Sequence, residues 1–312
     1  MKAAQIIEYG EVEKIQIYEV DAPAIGEGQV LVQVHAASLN PFDSAIRAGL
    51  FQQMMPFPMP ITLGGDFSGV ITEMASGVTG FTVGDTVYGS ANVANGGSGS
   101  IATYLVANAT NIAVAPASIS LVEAAALPLV GSSAIQALED HMSLKSGQKI
   151  LIHGGAGGIG HIAIQLAKHM GAYVVTTVST DDVDFAKSLG ADEVIDYKKR
   201  KFEEVVKDMD AVFDTIGGDT ADRSFLVLKK GGVLVSMKGA PNTDLAKKYE
   251  VVAVGQNTKT NTVHLTRLSQ LVESDAIHVR VDQVFDLAYT KDAFERLDSH
   301  PQGKVVVKVD VQ

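Results

Sequence analysis

The sequence predicts an α/β protein in two parts: a β-rich domain and, inserted into it, a domain with a doubly wound parallel sheet. Three observations carry this. From Lys149 onward, strand-like and helix-like segments alternate regularly, as in a parallel sheet with helices on both faces. The first third and the tail instead carry short β-branched or alternating runs cut by glycine turns, which suggests a barrel-like or rolled sheet. The first strand of the alternating half runs into its helix through a glycine-rich turn, Gly154 to Gly160.

In chain order, Lys14 to Val20 and Gln29 to His35 read as strands divided by Gly26-Glu27-Gly28. Gly64-Gly65-Asp66 opens the strand Phe67 to Met74, and Gly84-Asp85 precedes the strand Thr86-Val87-Tyr88. Asn95 to Ser100 reads as a glycine/serine loop. Near Ser120 the pattern changes: Ser120 and Glu123 fit a capping box, and Glu123-Ala124-Ala125-Ala126 favours helix, as does Ser132 to Leu138. Strands then fit Ile150 to His153, Tyr173 to Val178, Glu193 to Asp196, Ala211 to Asp214 and Gly232 to Met237. Helices fit Gly160 to Met170, Asp182 to Leu189, Lys201 to Lys207, Asp219 to Leu228 and Asn261 to Val272. The tail returns to strand at Val281 to Phe285 and Lys304 to Val309, around a short helix opening at Thr290. This gives a β-rich domain of residues 1–121 and 277–312 and an inserted domain of residues 122–276.

Composition narrows the function. The 312 residues suit two domains, and 46% apolar with 20% charged residues fits a packed core. A formal charge of −11 speaks against a nucleic-acid or anionic-membrane binder. With no cysteine there is no disulfide, thiolate nucleophile or Cys-ligated zinc or iron–sulfur site. The first residues lack a secretory apolar core and no apolar run has the length of a membrane helix, so a cytoplasmic protein is expected.

The glycine turn names the first ligand. Gly155, Gly157 and Gly160 fit G-x-G-x-x-G between a strand and a helix, the context in which backbone N–H groups bind a pyrophosphate. Gly155 allows the tight turn, Gly157 lets the backbone approach the phosphates, and Gly160 lets the helix lie close to the strand; Ala156, Gly158 and Ile159 complete the loop. NAD sites usually place an acidic residue at the end of the second strand, to bond the ribose hydroxyls. Here Ser179 stands there, neutral and able to bond a 2′-phosphate, so NADPH is favoured. Tyr197, Lys198 and Lys199, at the end of the next strand, are the expected phosphate partners; the alternative for Lys198 to Lys201 is a solvated charge run. No G-x-S-x-G elbow is present, so serine hydrolase chemistry finds no support.

Several blocks, taken in order, give the whole chain a resemblance. They are Val34 to Asp43 (VHAASLNPFD), Leu63 to Gly69 (LGGDFSG), Val83 to Gly89 (VGDTVYG), the glycine turn, Leu189 to Tyr197 (LGADEVIDY) and Gly303 to Val306 (GKVV). Together they resemble the zinc-independent quinone oxidoreductases of the medium-chain dehydrogenase/reductase superfamily. The resemblance implies a β-rich GroES-like catalytic domain and an inserted Rossmann NADPH-binding domain. Zinc members of the superfamily carry a ligating Cys where this chain has Asn40, a His at Gly65 and a Glu at Asp66, and a four-cysteine lobe that is missing here. No metal is therefore expected. His35, the nearest imidazole, sits in an apolar strand and reads as structural.

The resemblance also implies roles. The reaction is hydride transfer from NADPH to a quinone or an α,β-unsaturated carbonyl, whose conjugation takes up the charge, while the protein supplies positioning and a dry pocket. Asn40 lines the pocket and donates a hydrogen bond to the acceptor carbonyl; its alternative role is an Asx-type turn before Pro41. Asp43 is expected to fix the local fold. The pocket tyrosines common in the family fall at Ala45 and Phe51, and without a hydroxyl Phe51 cannot be the proton donor of an enoyl-thioester reductase. That activity is one alternative; a low-turnover NADPH-binding sensor or structural protein is another. Phe51 and Met54, with Met55, Phe57 and Met59, would line the pocket for a ring-shaped acceptor, or else pack as core. Ser133 is placed near the nicotinamide, Thr215 to Gly217 at the adenosine side, and Ser236, Met237 and Lys238 toward the nicotinamide. Gln256 and Asn257 belong to a segment closing over the cofactor. Lys304 either approaches the cofactor phosphates or is simply exposed, and His153 reads as structural. A homodimer through Gly231 to Met237 as a sheet edge follows by analogy.

Overall fold

The computed structural model describes residues 1–309, which divide into two compact units. The first holds Met1–Leu129, Thr260–Glu273 and the chain from Val279 on. The second holds Val130–Lys259 and Ser274–His278.

The first unit is the β-rich one. Its main sheet runs, in spatial order, Val281–Asp286, Lys304–Lys308, Gln29–Ser38, Asp66–Met74, Thr86–Ser90 and Ile112–Val114, with Tyr104–Asn108 also pairing with Gln29–Ser38. A smaller antiparallel sheet joins Gln16–Glu19, Lys2–Ile6 and Ile61–Thr62. Val30, Val32, Phe67, Ile71, Val87, Leu105, Val305 and Val307 fill one core from these strands. At Gly69 a Cβ would lie 2.2 Å from the Gln33 carbonyl oxygen, so glycine there lets two strands approach closely. The capping box forms as expected, with the Ser120 hydroxyl accepting from Glu123 N and the Glu123 carboxylate accepting from Ser120 N.

The helix Thr262–Glu273 belongs to the first unit, whereas the sequence assigned it to residues 122–276 of the inserted domain. Its buried face, Leu265, Leu268, Leu271 and Val272, has helical spacing, and that pattern alone does not say which surface it covers. Tyr88 donates to Leu265 O at 2.6 Å and Thr262 Oγ1 to Ile112 O at 2.9 Å, and these contacts tie the helix to the β-rich unit.

The second unit is a six-stranded, all-parallel sheet in the order Glu193–Asp196, Tyr173–Val178, Lys149–His153, Met209–Asp214, Leu228–Ser236, Val252–Gly255. Numbered within the sheet this is 3-2-1-4-5-6, the doubly wound order in which a dinucleotide binds at the carboxyl ends of the strands. Ile150, Leu151 and Ile152 are fully buried, as a central strand covered on both faces requires.

The sixth strand corrects an expectation. No element was read at 243–255, yet a helix, Thr243–Tyr249, capped by the Asn242 side chain, leads into Val252–Gly255. Leu228–Ser236 is therefore interior, paired on both sides, and Gly231 to Met237 cannot be the free edge. The two edges are Glu193–Asp196 and Val252–Gly255. The expected helices at 201–207 and 219–228 shorten to Phe202–Val205 and Asp219–Ser224. The helix expected at 132–138 begins earlier, at Pro128, and passes after Ile135 into a π-helical turn, Gln136–His141.

Candidate active site

The parallel register brings most of the expected cofactor residues to one edge of the second unit. Thr177 is level with His153, Asp196 with Val178, Ser236 with Asp214, and Gly255 with Ser236. Ser179, Tyr197, Thr215, Met237 and Gln256 each follow one of these strand ends directly.

The glycine turn lies at the centre of that edge. Gly154 and Gly155 N–H groups both donate to Thr177 O at 3.1 Å, folding the loop back on the neighbouring strand. A Cβ on Gly155 would stand 2.1 Å from Thr176 Oγ1, and one on Gly160 would stand 2.1 Å from Gly154 O. Both glycines are demanded by the fold. Gly157 differs: its φ of −76° and ψ of 177° suit any residue, and its Cβ would meet only Gly154 O, at an ordinary 3.4 Å. Gly158, Ile159 and Gly160 form the first turn of the twelve-residue helix Gly158–His169, whose N–H groups have no partner within the helix. Open space beside Gly157, next to unpaired donors at a positive helix end, fits a pyrophosphate.

Asp214, fully buried, organises the next loop. Its carboxylate accepts from Ile216 N and Gly217 N at 3.0 Å and from Ser236 Oγ at 2.8 Å. Thr215 Oγ1 donates to His153 O at 2.8 Å, so Thr215 packs beside the glycine turn. Ser236 is buried, and its hydroxyl accepts from Lys238 N; Met237 is half-buried and Lys238 exposed.

The Ser133 hydroxyl is fully buried, 2.8 Å from Thr258 Oγ1, and the Ser133 carbonyl accepts from Gln256 Nε2 at 3.0 Å. It anchors the 256–258 segment from beneath. Gln136, which the sequence did not single out, does the same: Nε2 donates to Asn257 O and Oε1 accepts from Lys259 N. Its position at the start of the π-helical turn is visible only in the fold. The Oε1 of Gln256 is buried with no protein partner.

At the second strand's end, Ser179 Oγ donates to Asp182 Oδ2 at 2.6 Å. Asp196 accepts from Thr180 Oγ1 at 2.8 Å and from the exposed Lys199 Nζ at 3.0 Å. Lys198 and Tyr197 are exposed beside it. His153 is structural, as read: it is fully buried, with Nδ1 2.9 Å from Thr177 Oγ1 and Nε2 3.0 Å from Ser224 Oγ. Burial pushes its imidazole down to about 4, so it is neutral at physiological pH.

In the first unit Asn40 precedes the helix Pro41–Arg47 and is 4% exposed. Its Nδ2 donates to Asp66 Oδ2 at 2.9 Å, and its Oδ1 accepts from Lys304 Nζ. Asp43 Oδ2 accepts from Asn40 N at 2.8 Å, the local role expected of it. Lys304 is 3% exposed, which corrects the exposed alternative: its ammonium turns inward, to Leu39 O at 2.7 Å and within 3.8 Å of Asp66 Oδ2. Burial lowers the Lys304 ammonium and raises the Asp66 carboxyl, each opposed by the attraction of the other.

Burial likewise raises Asp43, to about 7, with the Asn40 N–H opposing and Asp66 adding to the shift. A carboxyl whose folded value lies above its unfolded value adds stability below the unfolded value and loses it as pH rises through the folded one. The melting temperature should therefore fall between about pH 4 and pH 7 through this group. In Asp43→Asn that fall should be shallower, measured by thermal melts across the window; an identical slope would exclude the assignment.

The apolar residues 51–59 divide. Phe51, Phe57 and Met59 pack against the first unit's core, with the Phe51 ring 5.1 Å from that of Phe42. Met54 stands 74% exposed.

Comparison with known proteins gives the family. Residues 26–117 match the alcohol dehydrogenase GroES-like domain, and residues 189–307 match a family described as zinc-binding dehydrogenase. Zinc does not fit the donors here: Gly65 has no side chain, and an ammonium already lies against Asn40 and Asp66. The chain is 36% identical over 317 residues to 2-methylene-furan-3-one reductase of Solanum lycopersicum, covering 98% of this chain and 79% of that protein. It is 35% identical over 319 residues to the chloroplastic NADPH-dependent alkenal/one oxidoreductase of Arabidopsis thaliana, with the same coverage. The solved quinone oxidoreductase of Coxiella burnetii superposes with a TM-score of 0.90 at 35% identity, covering 99% of each chain. With the expected fold, a parallel sheet in doubly wound order and these likenesses end to end, the chain belongs to the quinone oxidoreductase group of the medium-chain dehydrogenase/reductase superfamily.

Proposed function

We propose that this protein is an NADPH-dependent reductase that passes hydride to quinones or α,β-unsaturated ketones without a metal. The carrying observation is Gly157, a glycine that neither its backbone angles nor its neighbours require, at the mouth of a turn ringed by strand ends. Glycine there serves a ligand that comes close to the backbone. When bound, NADPH supplies the hydride. The protein holds the pyrophosphate on the first turn of Gly158–His169, carries Gln256 Oε1 as a buried acceptor for an amide, and leaves Tyr197 and Lys198 exposed near Ser179 for the 2′-phosphate. The substrate class is supported by the names of the two plant relatives and of the Coxiella burnetii protein, which act on an enone, alkenals and quinones. The Asn40 amide is the first unit's donor for the acceptor carbonyl. Phe51 packs on Phe42 and has no proton to give, which weighs against an enoyl-thioester reductase.

Ser179→Asp tests the cofactor assignment. A carboxylate there repels the 2′-phosphate and bonds ribose hydroxyls. NADPH affinity should fall by about tenfold or more and NADH should gain, read by fluorescence titration. Equal binding of NADH and NADPH by the unaltered protein would overturn the NADPH assignment.

A homodimer is part of the proposal, now through Val252–Gly255, an exposed edge whose unpaired backbone groups can extend the sheet into a second copy. Sedimentation at working concentration should give twice the chain mass; a monomer would remove it.

A further inference from the structure

Four residues of the first unit form a buried polar cluster: Asn40, Asp43, Asp66 and Lys304 are each 2–4% exposed. A buried ion pair is weak evidence for stability, because apolar residues of similar volume often serve as well or better. The contacts of this one converge on a single residue, Asn40. Lys304 Nζ donates to Asn40 Oδ1, Asp66 Oδ2 accepts from Asn40 Nδ2 at 2.9 Å, and Asp43 Oδ2 accepts from Asn40 N at 2.8 Å. Lys304 is itself held by Leu39 O at 2.7 Å, and Asp66 by Leu129 N at 3.2 Å.

This arrangement removes an ambiguity that amides usually carry. An ammonium only donates and a carboxylate only accepts. The Asn40 oxygen must therefore face Lys304 and its nitrogen Asp66; the flipped amide would set N–H against N–H and O against O. One of the two Nδ2 hydrogens is used by Asp66, which leaves the second.

We propose that Lys304 and Asp66 are a positioning pair for Asn40: together they lock its amide in one orientation so that the remaining Nδ2 hydrogen is given to the carbonyl oxygen of the hydride acceptor. The inference rests on the reductase reading above. Hydride brings two electrons to the β-carbon of an enone and forms a C–H bond there. The C=C pair moves toward the carbonyl, charge collects on its oxygen, and solvent supplies the proton that completes the α-carbon; NADPH ends as NADP⁺. A donor already aimed at that oxygen needs no reorganisation as charge develops. The Lys304 charge on the amide oxygen also draws electron density from the nitrogen, which strengthens the remaining N–H as a donor.

The test is steady-state NADPH oxidation with a simple cyclic enone, using the full chain and Lys304→Met, Asn40→Ala, the double variant Asn40→Ala/Lys304→Met, and Asp66→Asn/Lys304→Met. In the last, the buried charges are removed together, so that folding is kept if Lys304→Met alone is unstable. Lys304→Met should lose about tenfold or more in kcat, with NADPH affinity by fluorescence titration within about twofold of the unaltered protein. Because Lys304 acts through Asn40, the Asn40→Ala/Lys304→Met variant should be no slower than Asn40→Ala. Asp66→Asn/Lys304→Met should fold and stay slow. The proposal is overturned if Lys304→Met keeps full turnover, if the two losses multiply, or if Asp66→Asn/Lys304→Met recovers full activity, which marks a purely structural cluster. If the unaltered protein reduces none of the enones or quinones with NADPH, the reductase reading itself is overturned, and the positioning role with it.

Discussion

Gly157→Ala is expected to leave the protein folded and to weaken NADPH binding by about tenfold or more. The added methyl group meets only the Gly154 carbonyl oxygen, at 3.4 Å, and the backbone at φ −76° accepts alanine without strain. Removing a glycine at a compatible position even restricts the unfolded chain, so the melting temperature of the free protein should hold or rise slightly. The cost falls on the ligand. A methyl group in the open space beside Gly157 keeps a pyrophosphate from reaching the N–H groups of Gly158, Ile159 and Gly160. Thermal melts and a fluorescence titration on the same preparation separate the two effects. Unchanged NADPH affinity would mean that the turn binds no dinucleotide.

Gly160→Ala, three residues on, should do the reverse and damage the fold before the ligand is added. Its Cβ would lie 2.1 Å from Gly154 O and 2.7 Å from Gly155 Cα, both backbone atoms that cannot swing aside. Either the helix Gly158–His169 moves off the strand Lys149–His153 or the turn opens, at a cost of about 3 kcal/mol, the upper end for overpacking. That is a large part of a typical domain's stability. Gly160→Ala should melt well below the unaltered protein or accumulate insoluble. A melting temperature within a degree or two of the unaltered protein would show that the close approach is not needed.

The contrast between these glycines also shows how far the sequence could be read. The spacing of Gly155, Gly157 and Gly160 located the turn and assigned a role to each. Tyr173–Val178 and Glu193–Asp196 were legible to the residue, because each is a short run with β-branched residues between helical patterns. The sixth strand was not: Val252–Gly255 is brief, follows the charged helix Thr243–Tyr249, and is a strand only because Leu228–Ser236 lies beside it. The helix Thr262–Glu273 was legible as a helix and not in its allegiance, since an apolar stripe does not name the surface it covers.

The site divides in the same way. Residues that follow strand ends, such as Ser179, Thr215 and Met237, could be placed because topology carries them to one edge. Lys304 could not. A lysine in a glycine-lysine turn reads as exposed, and only a pairing between residues 264 apart in the chain, Lys304 with Asn40, turns its ammonium inward. The fold also gives Ser133 a bond to Thr258, and it recruits Gln136, which no motif marks.

The central claim is metal-independent hydride transfer from NADPH to a conjugated carbonyl or a quinone. The most direct measurement is the near-ultraviolet absorbance of NADPH in the presence of the protein and a strong chelator, with a cyclic enone or a small quinone added last. The absorbance should fall only after the acceptor is added, at the same rate with and without chelator, and more slowly with NADH at equal concentration. Turnover that the chelator abolishes and zinc restores would contradict it, and so would a protein that binds NADPH and leaves every such acceptor unreduced.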